Sequence, residues 1–218
     1  MIKAIFKFLG IGLVTLLIIG ILVYLFIDES VPNGTAGQEA EQLADEMLDV
    51  LNKPAFDTLT MIKFTYPGGH SYEWNKAENK VRVQWERNDV LLDLNKSIED
   101  FNVVEYQGYE FFLNDSFWMI APFKVRDDGV VRSSVEVDDG RGLLVTYTTG
   151  GVTPGDSYLW ILDDKGFPKA WKLWTSNVPL GGLKIGWGGW VEKQGVWFST
   201  FHPSMVVDLE ITGLEVSH

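Results

Sequence analysis

Hydrophobic residues fall along this chain in three patterns: one unbroken run, one helical stripe and many short alternations. The run covers residues 8–27, which hold no charge and only Thr15 and Tyr24 as polar side chains. At about 1.5 Å per helical residue it spans about 30 Å, the thickness of a bilayer's hydrocarbon core, and so predicts one transmembrane helix. Lys3 and Lys7 precede it, and Asp28 and Glu29 follow it. The positive-inside rule then puts the amino terminus in the cytoplasm and the rest of the chain on the extracytoplasmic, periplasmic side. A cleaved secretory signal is the rival reading, with small residues at Gly34, Thr35 and Ala36. The run is longer than a signal's usual apolar region of about 7–15 residues, and those small residues lie well past its end, which favours an uncleaved anchor.

The helical stripe lies in residues 39–51. Leu43, Met47, Val50 and Leu51 recur at helical spacing while Glu41, Asp45, Glu46 and Asp49 fall mostly elsewhere, and Pro54 stands just beyond. From residue 58 the period changes to two. Residues 58–66, 70–75, 81–85 and 90–94 alternate, separated by Pro67-Gly68-Gly69 and by charged turns. Residues 109–124 fit neither pattern and predict a short apolar helix broken near Ala121 and Pro122. Strands resume at Val130 and are expected at 158–162, 167–175, 187–192, 196–201 and 206–211, with hairpin turns at Asp138-Asp139-Gly140, Pro154-Gly155-Asp156 and Asp163 to Gly166. The expectation is a transmembrane anchor in residues 1–29, a Gly- and Pro-containing linker in 30–38 and an exported domain in 39–218. That domain is expected to be mainly β (α+β), a long antiparallel sheet of about nine to eleven short strands with an N-terminal helix and a short inserted helix. A sheet that long curls, and a helix must cover its concave face.

Charge and composition narrow the partners. The 218 residues carry 30 acids against 18 bases, a net charge of −12, and the anchor's flanks cancel, so the exported domain keeps all of it. That balance argues against nucleic acid as a partner, since gripping phosphates needs a basic face. There is no cysteine, which removes disulfides, thiolate catalysis and Cys-ligated metal. Against this stand 9 Trp, 13 Phe and 7 Tyr. No Trp lies in the apolar run, so all nine belong to the exported domain, as core or as the lining of an apolar cavity.

Candidate chemistry is sparse. Of the three histidines, His218 is terminal, His70 reads as a solvated residue at a hairpin tip, and His202 precedes Pro203 near Ser199 and Ser204. A nucleophile needs a base and a third group converging in a pocket, which spacing alone does not supply, so no catalytic residue is assigned. The Asp-Asp-Gly pairs lack the alternating acids of a calcium loop, and the glycines from Gly181 to Gly186 lack the strand-to-helix setting of a phosphate loop. No metal set and no cofactor motif is present in the sequence.

The layout of first helix, long antiparallel sheet and inserted helix resembles the Lol-type lipoprotein-carrier superfamily. The stretch from Leu113 to Lys124 (LNDSFWMIAPFK) also resembles one recurring in uncharacterised exported bacterial proteins, as does the stretch from Thr153 to Tyr158 followed by Trp171 and Trp174. The resemblance implies an unclosed β-barrel wrapped around helices that cap a hydrophobic cavity, and an apolar ligand. It does not imply shuttling, because an anchored chain cannot diffuse between membranes. The expected function is therefore a membrane-anchored domain binding an acyl chain, a lipid or a lipidated protein, without catalysis. Phe112, Trp118 and Met119 are expected on the lid, and Trp85, Trp160 and Trp174 on the walls. Two other readings remain: an envelope structural or assembly protein with a packed core, and a hydrolase using His70 or His202.

Overall fold

The computed structural model describes residues 27–149 and 153–218, together with Thr15. The expected membrane anchor lies outside the described residues, among which no helix is long and apolar enough to cross a membrane. The described residues form three α-helices of known bounds and fourteen strands.

Helix α1 (Gln38–Val50) buries Leu43, Met47 and Leu48 on one side and opens with Glu39 and Glu41 at the positive end of its dipole. Pro54 does not end a helix; it opens α2 (Lys53–Thr58). The first turn of a helix tolerates a missing N–H, so proline reads as a start as readily as a stop. Asn52 makes the break: it takes φ 60°, and its side chain accepts from the Ala55 N–H at 3.3 Å.

Four strands form a meander after α2: β1 (Met61–Tyr66), β2 (His70–Asn75), β3 (Lys80–Trp85) and β4 (Asn88–Asp93). The last strand, β14 (Thr212–Ser217), returns to pair with β1, giving the order β14-β1-β2-β3-β4. On β3 the alternation is strict, with Val81, Val83 and Trp85 buried and Arg82 and Gln84 exposed. A second five-stranded antiparallel sheet has the order β5-β6-β7-β8-β9, from β5 (Val130–Val135), β6 (Arg141–Tyr147), β7 (Ser157–Leu162), β8 (Pro168–Trp174) and β9 (Leu183–Gly186). Part of the glycine-rich segment from Gly181 to Gly186 is thus strand β9. Residues 187–190, expected as strand, are not; β10 (Val191–Lys193) and β11 (Val196–Phe198) make a separate hairpin.

The expected single long sheet is therefore divided, and among the described residues no barrel closes. Short pairings carry the ladder across the gap. Ile185 bridges Ser204 and Gly188 bridges Phe201. Strand β12 (Phe201–His202) pairs with β13 (Leu209–Glu210), and the Ile211 N–H donates to the Thr200 carbonyl at 2.8 Å. Glycine and proline interrupt regular pairing here: Gly188 and Gly189 precede β10, and Pro203 packs on Gly186.

The inserted helix is not short. Helix α3 runs Val103–Ile120 and ends in a 3-10 turn, Ala121–Lys124. Its start is fixed by a capping box: the Asn102 side chain accepts from the Glu105 N–H while the Glu105 carboxylate accepts from the Asn102 N–H. It shows no single apolar stripe because it touches protein on several sides. Phe111 meets His70 and Trp85, Phe112 meets Trp74, and Phe117 and Trp118 meet Trp171. Gly108 permits the closest approach, since a Cβ there would stand 3.1 Å from Val90 and 3.2 Å from Trp85. On the other sheet, α1 is held by Arg132 and Arg126, which both bond Glu41.

Candidate functional site

The second half of α3 stands off from β6–β8, and a cavity of about 490 Å³ remains between them. Apolar side chains line its interior: Phe112, Leu113, Phe117, Trp118 and Ile120 from the helix, Trp171 and Leu173 from β8, and Val178 from the loop that follows. Tyr147 and Tyr158 complete the sheet wall, and Phe117 packs between them at ring-centroid distances of 5.6 and 5.2 Å. The rim is polar. Lys124 and Asp127 form an ion pair there, beside Asp128, Thr149 and Asn177. Asp156 is buried; it accepts from the Thr153 hydroxyl at 2.6 Å and from the Ser176 N–H at 3.1 Å.

Three hydrogen-bonding groups on lining residues have no partner among the described residues: the Trp74 and Trp171 indole N–H groups and the Tyr147 hydroxyl. Buried donors left in this state each cost about 1–3 kcal/mol. Burial also pushes the ionisation of the Tyr147 and Tyr158 phenols well above the ordinary range, so both stay neutral. The aromatic wall thus stays neutral, and the charged lining residues are Lys124, Asp127, Asp128 and the buried Asp156, whose carboxylate lies beside the Tyr158 phenol.

Of the six residues expected to bind ligand, Phe112 and Trp118 line this cavity. Met119 does not, because it lies on another side of α3 and is fully buried in the core. Trp85 is packed beneath Gly108 and edge-on to Phe111. Trp160 is fully buried between Trp171 and Trp187, at centroid distances of 4.9 and 4.8 Å, one layer behind the wall. Trp174 faces away from Trp171, as strand alternation requires, and its indole donates to the Glu29 carbonyl at 2.7 Å. Sequence parity sorted faces but could not say which face met the cavity. Phe117, Tyr147, Tyr158 and Trp171 also line it and were not among the six; the LNDSFW segment holds Phe117, and the Thr153–Tyr158 stretch with the Trp171 that follows holds two more.

Two of the histidines sit in unexpected places. His70 is not a free turn residue: it opens β2, packs tilted against Phe111 with ring centroids 4.3 Å apart, and its Nδ1–H donates to Asp115 Oδ2 at 2.7 Å. The Tyr72 hydroxyl donates to the same oxygen. Asp115 lies on α3 at 6% exposure, and burial raises its carboxyl above the usual range despite the opposing Tyr72 and His70 bonds. This cluster ties the helix to the first sheet directly behind the cavity. His202 is fully buried between Trp118 and Trp187, at 5.5 and 4.6 Å. The Gly186 and Trp118 carbonyls lie near its ring, yet neither nitrogen has hydrogen-bond geometry to a partner, and burial lowers its pKa to about 4. The ring is thereby kept neutral between the two indoles. Among the described residues no group of three or more His, Cys, Asp or Glu could hold a metal ion. Comparison with known proteins finds no protein-family model that matches the chain, and no curated protein that matches it.

Proposed function

We propose that this chain is a membrane-anchored, exported domain that binds one apolar chain, an acyl chain being the best fit, in the cavity between α3 and β6–β8. The observation that carries this reading is the cavity itself, whose 490 Å³ falls inside the range of about 300–1,000 Å³ usual for small-molecule sites. The driving force is desolvation. Ten buried methylenes contribute about 8 kcal/mol before the cost of association is subtracted. The divided sheet with a helix over its hollow is consistent with the unclosed-barrel architecture of the lipoprotein-carrier superfamily, and the anchor makes the domain a stationary receptor rather than a shuttle.

The test is native mass spectrometry of the full chain, released from mild detergent without delipidation, followed by titration of the delipidated chain with long-chain ligands. Retained lipid, and quenching of Trp emission that saturates, are the expected results. Val178→Trp fills the cavity's edge and should abolish both while leaving the unfolding transition in place. No retained lipid and no saturable binding overturn the reading.

A further inference from the structure

Three features that are far apart in sequence meet at one end of the β5–β9 sheet. The first is the cavity rim. Val130 pairs with Tyr147, Ser157 with Trp174, and Leu173 with Leu183, so these ends of all five strands lie together, and Thr149, Asp156 and Asn177 of the rim extend from them. The second is the start of the described domain. The Glu29 N–H donates to the Gly181 carbonyl at 3.1 Å, the Gly181 N–H donates to Asp28 at 2.8 Å, and Lys172 pairs with Glu29. Ile27, last residue of the apolar run, is thereby fixed at the same end.

The third is an apolar tip. Residues 203–208 join β12 to β13, and Met205, Val206 and Val207 are 98%, 78% and 70% exposed. The bridges from Gly188 to Phe201 and from Ile185 to Ser204 set the direction of this hairpin antiparallel to β9. Each step beyond Ser204 therefore moves the tip toward Leu183 and Gly182, the end where Glu29 is held. Part of the tip's backbone is paired within its own turn: the Val206 and Val207 N–H groups both donate to the Ser204 hydroxyl oxygen, and that hydroxyl donates to the Val207 carbonyl. This lowers the cost of moving its apolar side chains out of water.

From this convergence we infer that the Met205–Val206–Val207 tip seats on the surface of the same bilayer that holds the chain, and that the cavity rim faces that surface. The occupant is a lipid bilayer because residues 8–27, long enough to span one, end at Ile27 on this same end. Docking is apolar rather than electrostatic. Asp28, Glu29, Asp127, Asp128 and Asp208 outnumber Lys124, Lys172 and Lys184 around the site, so anionic headgroups repel it. A ligand would then pass between bilayer and cavity over a short distance. The inference rests on the anchor reading and is independent of whether the cavity binds lipid.

The chain contains no cysteine, so one introduced thiol labels one place. The full chain carrying Val206→Cys, labelled with an environment-sensitive dye, is reconstituted in phosphatidylcholine liposomes containing spin-labelled lipid. Lys165→Cys, in the turn at the opposite end of β7 and β8, is the control. The expected result is quenching by lipid at position 206 and none at 165, with the quenching weakened when anionic lipid replaces part of the phosphatidylcholine. A dye at 206 open to aqueous iodide and not to lipid overturns the inference, as does equal lipid quenching at both positions. Shielding from iodide and lipid alike overturns it in favour of a protein contact. A chain that fails to float with the liposomes overturns the anchor reading and the inference together.

Discussion

Acid should unfold this domain partly through one residue, His202. Its ring is fully buried between Trp118 and Trp187 without a hydrogen-bond partner, and burial lowers its pKa from 6.5 to about 4. The folded state therefore keeps it neutral at a pH where the unfolded chain binds a proton. Below pH 6.5 the unfolded state holds more protons, so stability falls as pH falls, and the loss levels off below the folded value near 4. With about 1.36 kcal/mol per unit of pKa, the loss between pH 7 and pH 4 is about 3 kcal/mol from this group alone. His202→Leu keeps a similar volume and removes the titration. Urea unfolding followed by Trp emission at pH 7, 5.5 and 4 measures the effect in both chains. Carboxylates titrate in both and cancel in the comparison. The variant should lose about 3 kcal/mol less than the parent chain between pH 7 and 4, whatever its stability at pH 7. Parallel pH profiles would refute the claim that His202 is buried neutral.

Other substitutions read other parts of the structure. Tyr72→Phe removes one of the two side-chain donors to Asp115 and should cost about 1.5–3 kcal/mol in denaturant unfolding, as expected for a bond to a charged group. An unchanged midpoint would mean that water replaces the hydroxyl. Gly108→Leu forces a side chain against Val90 and Trp85 and should destabilise by about 1–3 kcal/mol through overpacking. Because it lifts α3, it should also weaken ligand retention measured by native mass spectrometry. Leu173→Ala removes a buried wall residue of the cavity and should cost about 2–5 kcal/mol, read from the denaturant midpoint. The same change should shift the preferred ligand chain length upward in titrations.

Local signals in the sequence were specific where a single physical cause acts within a few residues. The β1–β4 meander follows from alternation and turn residues, as β3 illustrates with Val81, Val83 and Trp85 inward. Helix α1 follows from its stripe. The capping box at Asn102 and Glu105 was equally legible in principle and would have placed the start of α3, but Val103, Val104 and Gly108 weaken helix propensity and hid it. The stretch that follows carries no stripe, because a helix touched on several sides needs apolar residues on each of them.

What sequence by itself determined is the domain's class and its chemical limits: strands of period two, an early helix, an acidic surface, no thiol, and an apolar run long enough for a bilayer. Each of these depends on composition or on neighbours a few residues apart. Tertiary structure decided the rest. The break of the sheet into two, the standoff between α3 and β6–β8 that leaves a cavity, and the separation of Phe117 and Trp171 from Trp85 and Trp160 all depend on how distant segments share space. So does the partnership of His70 with Asp115, 45 residues apart. A strand's alternation tells which side chains share a face, whereas the gap left beside that face is set by the volumes and directions of elements that meet only when the chain is folded.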